Sequence, residues 1–343
     1  MRIAYIGPAR GTSLHRARAL ERLGHEVIII DPWAWLGHSK WVARWLHHTG
    51  GAGIDAWLCR RLVAAASSQP DIIWVNDGAF LGTRILLRLR EMKVPIVNYS
   101  ADNPYANGAH TKWRKFREAM HYYDLLVSTF AESARRLEAE GAKNVIRVFL
   151  TADEHAHSPR VLSDDDYKTY GHEVSYIAQW APERGPFLAG LIKLGIPLAI
   201  WGDRWNKARE WPLLKTVWRG PGIFEPEGYA KVIQCSKISL CLLYKDAANL
   251  HTSRSIEIPA LGGLLCAERS AEHMELYEDG REAVFWQDAQ ECAAVCKHLL
   301  EDEPLRQSIA RSGHERALRN NHFNEPMLAA VIERAMHGYG ARR

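Results

Sequence analysis

The residues best suited to chemistry lie in His251–Glu282, HTSRSIEIPALGGLLCAERSAEHMELYEDGRE. Pro259 lacks an N–H and is tolerated only early in a helix. The helix that stops at Gly262-Gly263 is therefore expected to begin near Ser255 or to kink. Thr252, Ser253 and Arg254 then stand at its positive mouth, where free N–H groups, hydroxyls and a guanidinium suit a diphosphate. Glu257, one turn further in, can accept hydrogen bonds from ribose hydroxyls. The bland alternative is a local Arg254–Glu257 surface pair, worth about 0.3–0.5 kcal/mol. Arg184, in the loop after QWAPE, is a second cation for the same ligand or a solvated loop arginine. Asp102 can contact a transferred group, or it can close an Asx turn ahead of Pro104.

These residues need a scaffold, and strand and helix patterns alternate along the chain. Short apolar strands are expected at Arg2–Ile6, Glu26–Ile30, Asp71–Val75, Val94–Tyr99, Asp124–Ser128 and Asn144–Phe149, then at Val174–Ile177, Leu198–Trp201 and Ile238–Leu243. Such βαβ alternation implies parallel sheets with crossover helices. The first domain spans 1–150, a linker rich in Asp, His, Ser and Pro spans 151–173, and the second domain spans 174–322. A last helix in 323–343 is able to cross back to the first domain. No G-x-G-x-x-G follows the first strand, so the dinucleotide fingerprint is absent.

Ligands of open parallel sheets bind outside the carboxyl ends of the strands. On the first domain those loops offer Thr12, Ser13, Asn76, Asp77 and Asn103 toward an acceptor, and Asp102 toward the transferred group. On the second they offer Arg184, Gly202, Trp205, Asn249, His251, Thr252, Ser253 and Arg254, with Glu257 behind them.

The 343 residues suffice for two full cores, and 47% hydrophobic with 24% charged residues is ordinary for a globular protein. No apolar run approaches the roughly 18 residues of a membrane span, and a cytoplasmic location is expected. The six cysteines form no CxxC pair and show no zinc pattern, so they are expected as small core residues. Residues 1–150 carry 21 Lys and Arg against 13 Asp and Glu, whereas 151–343 carry 23 against 27. The basic first half suits an anionic acceptor or peripheral contact with an anionic membrane, or its basic helix faces are merely solvated. The acidic second half, with no nucleic-acid motif, argues against a nucleic-acid enzyme. The stretch Asp31–Trp57 holds Trp33, Trp35, Trp41, Trp45 and Trp57 with Lys40, Arg44, His47 and His48. It reads either as an acceptor- or membrane-facing insertion or as an amphipathic helix packing its tryptophans inward.

Three segments, GIFEPEGYAKVIQCSKISLCL, HTSRSIEIPALGGLLCAERSAEHMELYEDGREAVFW and HLLEDEPLRQSIARSGHERAL, resemble the C-terminal domain of CgeB-like (spore maturation protein-like) glycosyltransferases, relatives of glycosyltransferase family 4. The DNP at 102–104, YYDLLVSTF, TADEHAHSP and YIAQWAPER extend the resemblance. It implies an α/β GT-B fold, two Rossmann-like domains facing each other across a cleft. It also implies a nucleotide-diphosphate-sugar donor, an acceptor that is a glycan, glycolipid, protein or small molecule, retention of configuration, and neither metal nor other cofactor. By the same resemblance Glu257 binds the donor ribose, and Arg184 and Thr252–Arg254 bind the diphosphate. Asp102, Arg184 and Arg254 are the expected catalytic residues. Asn249 departs from the pattern, standing where family 4 enzymes often carry a sugar-facing glutamate. The competing readings are a non-catalytic nucleotide-sugar-binding or assembly protein and a nucleotide-sugar epimerase.

Overall fold

The computed structural model describes residues 1–340 apart from His38, Ala109, Phe224, Asp246 and Ala247. Asp246 and Ala247, which follow the strand expected at Ile238–Leu243 and precede Asn249, thus lie outside the described residues, as does the side chain of Lys40. The chain divides into two compact units. One holds Met1–Leu150 and the chain from Phe323 onward, and the other holds Thr151–Lys245 and Asn249–His322.

The first unit is built on a parallel sheet of β1 (Arg2–Ile6), β2 (Glu26–Ile30), β3 (Ile72–Asn76), β4 (Ile96–Ser100), β5 (Leu125–Ser128) and β6 (Val145–Arg147). Its strand order is β2-β1-β3-β4-β5-β6. Strands β3 and β4 are buried along their whole length, as β-branched runs covered on both faces should be. One face carries Ile73, Val75, Ile85, Leu86, Leu89 and Phe116. The other carries Ile3, Tyr5, Leu20 and Trp74, closed by Leu328, Val331, Ile332 and Ala335 of the helix Asn324–Gly340. Those four recur at helical spacing and so form one apolar stripe. Arg22 pairs with Glu325 at the start of that helix.

In the Trp-rich stretch, three helices replace the single amphipathic one: Pro32–Leu36, Lys40–Thr49 and Asp55–Ala66. Trp33, Trp35, Trp45 and Trp57 pack against the first core, while Trp41 remains 78% exposed. The Arg61 guanidinium lies over the rings of Trp35 and Trp57 at 4.8 and 5.3 Å.

The second unit is built on β7 (His172–Ile177), β8 (Leu198–Trp201), β9 (Trp218–Gly220), β10 (Ser236–Cys241), β11 (Leu265–Glu268) and β12 (Val284–Trp286). All pair parallel, in the order β12-β11-β10-β7-β8-β9. Strands β9 and β12 are three-residue edges that no strand pattern announced.

The stretch expected as a linker is folded. Asp153 and His157 are buried, and Asp164–Tyr170 forms a helix with a Ser163–Asp166 capping box. Lys231 bridges Asp166 at 3.0 Å and ties that helix to the unit.

The helix before Gly262-Gly263 also starts earlier than expected. It spans Ser253–Ala260 and takes Pro259 into its second turn. The cost is confined to one missing N–H, because the helix stops immediately afterwards. Gly262 adopts φ +80°, and the Gly262 and Gly263 N–H groups return to the Pro259 and Ile258 carbonyls, a Schellman stop.

Candidate functional site

In the second sheet β7 lies between β8 and β10, so the chain reverses its direction of growth there. The crevice outside the carboxyl ends of β7 and β10 is the ligand position of such a sheet. Arg184 opens the helix Arg184–Lys193, is 8% exposed, and donates from Nη1 to the Gln179 carbonyl at 2.8 Å. Its guanidinium lies 5.6 Å from the Tyr244 ring centroid. Arg254 donates from Nε to the carbonyl of Ile177, the last residue of β7. Both guanidiniums are thus tied to the end of one strand. Among the described residues neither makes an ion pair with a carboxylate. Their field reaches Tyr176, whose phenol is pushed up to about 12 by burial although both arginines pull it down.

The mouth of the helix Ser253–Ala260 stands beside them. The Thr252 N–H donates to Ser255 Oγ at 3.0 Å, and the Ser255 N–H donates to the Thr252 carbonyl. Thr252 Oγ1 lies 3.3 Å from Cys241 Sγ. His251 is buried, with Nδ1 2.5 Å from Glu272 Oε2. Asn249 is half-buried, and among the described residues its Oδ1 meets no donor.

Glu257 is 5% exposed and is no surface partner for Arg254. Its Oε2 accepts from the Tyr229 hydroxyl at 2.7 Å, and its Oε1 lies 3.6 Å from His157 Nε2. Burial and then the Glu257 charge push the Tyr229 phenol well above its usual value.

Two residues expected at the ligand are engaged in packing. Trp205 is 2% exposed, sits in the second core, and donates from Nε1 to the Ala178 carbonyl at 3.0 Å, which leaves it no face for a ligand. Gly202 is required by packing. At φ +147°, a Cβ there would lie 1.9 Å from the Ala178 carbonyl oxygen.

The first sheet has its own crevice at β1 and β3, a cavity of about 370 Å³. Asn76, Asp77 and Asp102 line it, with Lys112, Trp33 and Trp113 among the other walls. Asp77 adopts φ +66°, accepts the Ala101 N–H at 3.1 Å and accepts from Asn76 Nδ2 at 3.0 Å. Burial, then the neighbouring Asp102 charge, pushes its carboxyl up to about 6. Asp102 is exposed and pairs with Lys112 at 3.0 Å.

The other first-unit candidates do not line that cavity. Asn103 is buried and accepts the Tyr105 N–H and the Ser133 hydroxyl, an Asx turn before Pro104. Ser13 is buried against the Tyr5 hydroxyl, and Thr12 lies on the exposed side of the same helix. Sequence reasoning missed Arg16, which is buried, donates to Asn76 Oδ1 at 3.0 Å and stacks 4.5 Å over Tyr99. Its only sequence signal is a cation on the buried face of the first helix.

Spacing also concealed a thiol cluster. Cys266, Cys292 and Cys296 are all buried, with their Sγ atoms within 4.8 Å of one another. It is the one group with metal-ligand geometry among the described residues, and it lies in the second core. Contacts with Cys266 and then Cys292 hold Cys296 below the usual thiol value.

Residues 184–332, a little under half of the chain, match a family model described as glycosyl transferase-like. This stretch is similar to glycosyl transferase-like domains. The match begins at Arg184 itself and contains the whole mouth at Thr252–Arg254. Comparison with curated proteins finds no match.

Among solved structures, the chain is similar to Anabaena Alr3699/HepE in complex with UDP. The two share 14% identity at a TM-score of 0.68, over 97% of this chain and 100% of that one. It is similar to the sucrose-phosphate synthase (tll1590) of Thermosynechococcus elongatus, with 13% identity and a TM-score of 0.70 over 100% of both chains. It is also similar to S. aureus MnaA solved with UDP, with 14% identity and a TM-score of 0.58 over 98% of this chain and 96% of that one. The shared feature is the fold: two parallel six-stranded sheets with alternating helices, as in GT-B glycosyltransferases.

Proposed function

We propose that the transferase-like domain holds a nucleoside-diphosphate sugar and that the protein moves the sugar to an acceptor with retention and without a metal. The observation that carries this reading is the convergence of Arg184 and Arg254 on the end of β7, beside the first turn of the helix Ser253–Ala260. HepE and MnaA, on the same fold, were solved with UDP, which makes a uridine nucleotide the first donor to try.

In the reaction, the bond between the anomeric carbon and the diphosphate oxygen breaks, and its electron pair leaves with the nucleoside diphosphate. The acceptor oxygen bonds to the anomeric carbon and gives its proton to the departing diphosphate oxygen. Two guanidiniums and the N–H groups of Ser253 and Arg254 are suited to the charge that grows on the leaving diphosphate, a preorganised electrostatic role. Glu257 is the ribose ligand in this reading, and Asn249 faces the sugar. The first unit meets the acceptor through the cavity lined by Asn76, Asp77 and Asp102. Retention and metal independence rest on the family resemblance. A cytoplasmic location with peripheral contact to an anionic membrane belongs to the same proposal. Among the described residues no helix is long and apolar enough to cross a membrane.

Calorimetric titration of UDP into wild type, Arg184→Ala and Glu257→Ala tests the site. Both variants are expected to bind at least tenfold more weakly, and unchanged affinity in both removes the assignment. Turnover of a UDP-sugar that survives a chelator, with the anomeric configuration of the product read by NMR, tests the rest.

A further inference from the structure

The segment that leads into the mouth is held by three side chains from one neighbouring turn. Ser270 caps the helix Ala271–Leu276. Its Oγ accepts the His273 N–H at 3.0 Å and donates to the Leu250 carbonyl. Glu272 Oε2 lies 2.5 Å from His251 Nδ1. His273 Nε2 lies 2.7 Å from Ser255 Oγ. His251, Ser255, Glu272 and His273 are all buried.

Chemistry fixes the direction of these bonds. The Glu268 carbonyl can only accept, and it lies 2.6 Å from His273 Nδ1, so Nδ1 carries the ring proton. Burial holds the His273 pKa down to about 4, so the ring is neutral at ordinary pH and Nε2 keeps its lone pair. The His273 ring also stacks on Phe285, 5.6 Å away and within 8° of parallel, which sets its plane. Ser255 must then give its single hydroxyl proton to Nε2. Its oxygen is left to accept the Thr252 N–H at 3.0 Å, while the Ser255 N–H is taken by the Thr252 carbonyl. Two amides of the first turn are therefore closed internally. The Ser253 and Arg254 N–H groups are the ones a helix leaves open to an anion.

We infer that Glu272 and His273 are positioning residues for the donor diphosphate, which they do not touch: they fix His251 and Ser255 so that the open amides and hydroxyls of Thr252–Arg254 converge on one anion. This rests on the reading of that mouth as the diphosphate site. A positioning role makes a prediction that a purely structural one does not. Loss of either residue weakens the grip on phosphate and spares the grip on the nucleoside.

The test is calorimetry, direct or by competition, with UDP and with uridine on wild type, His273→Phe, His273→Gln, Glu272→Gln and Ser255→Ala. His273→Phe keeps a ring against Phe285 and removes the acceptor. It and Ser255→Ala are expected to bind UDP about three- to tenfold more weakly, the range one net hydrogen bond supports, with uridine affinity unchanged. Glu272→Gln is expected to show the same selective loss. His273→Gln, whose carboxamide oxygen can accept from Ser255, is expected to recover most of it. Equal losses for UDP and uridine make these residues merely structural and overturn the inference. So does UDP binding that neither His273→Phe nor Ser255→Ala alters. No UDP binding by wild type removes the donor reading and this inference with it. Should His273→Phe fail to fold, the smaller Ser255→Ala change decides through the same bond.

Discussion

The Tyr229 hydroxyl donates to Glu257 Oε2 across 2.7 Å inside the second unit. An ionised carboxylate has about four lone-pair sites, so Tyr229 orients Glu257 without exhausting it. Wild type is expected to prefer UDP to 2′-deoxy-UDP, and in Glu257→Ala that preference is expected to collapse to about one. A preference that survives the substitution in competition binding would remove Glu257 as the ribose ligand. Tyr229→Phe should cost about 1 kcal/mol of stability, read by denaturant unfolding.

Trp205 and Gly202 form a packing joint between the ends of β7 and β8. Trp205→Phe leaves the Ala178 carbonyl without its donor and is expected to destabilise by about 1–3 kcal/mol. UDP affinity of the folded fraction should stay within twofold. Gly202→Ala must displace backbone, since its Cβ would sit 1.9 Å from the Ala178 carbonyl oxygen, and is expected to yield little soluble protein. A ten-fold affinity loss in a fully stable Trp205→Phe would restore Trp205 to the ligand.

Asp77 carries a pH signature. Its folded carboxyl titrates at about 6, above the ordinary 3.8. Folding therefore favours the protonated form. The stability it contributes is present below about 4 and is lost as pH rises through about 6. Relative to Asp77→Asn, wild type should lose stability across that window by at most about 3 kcal/mol, and by less because the residue is partly exposed. Unfolding curves of both proteins at pH 4, 5, 6 and 7 measure it, and a pH-independent difference would refute it. Asp102→Asn should lower the Asp77 midpoint, seen by carboxyl NMR.

All six cysteines are free and buried. A thiol-specific reagent should label the native protein slowly and reach six equivalents only after denaturation. Rapid native labelling of Cys266, Cys292 or Cys296 would show that the second core opens readily.

The sheets were legible because each buried strand is a short β-branched run closed by turn residues. The edge strands Trp218–Gly220 and Val284–Trp286 were not, since three residues carry no pattern. Arg184 and Arg254 stood out as cations beyond strand ends. The positions of Glu272 and His273 did not, because an acidic helix with one histidine reads as a solvated face until β11 and β12 bring it under the mouth. The thiol cluster escaped for the same reason: Cys266 is 26 and 30 residues from its partners and meets them only through the packing of a helix on a strand. The packing role of Trp205 was not legible either, because it stands in a loop after a strand and only its burial places it in the core.

The helix Asn324–Gly340 supplies Leu328, Val331, Ile332 and Ala335 to the core beneath β1 and β3. Those residues leave the ribosome after the whole second unit, long after the strands they cover. The nascent first unit must wait with one apolar face of its sheet bare while the whole second unit is synthesised. Order of synthesis thus runs against order of completion: the inserted unit has all its own residues first, and the unit whose strands are made earlier closes after it. That exposed face is where a chaperone would bind during translation, and where a nascent chain stalled before residue 324 would aggregate.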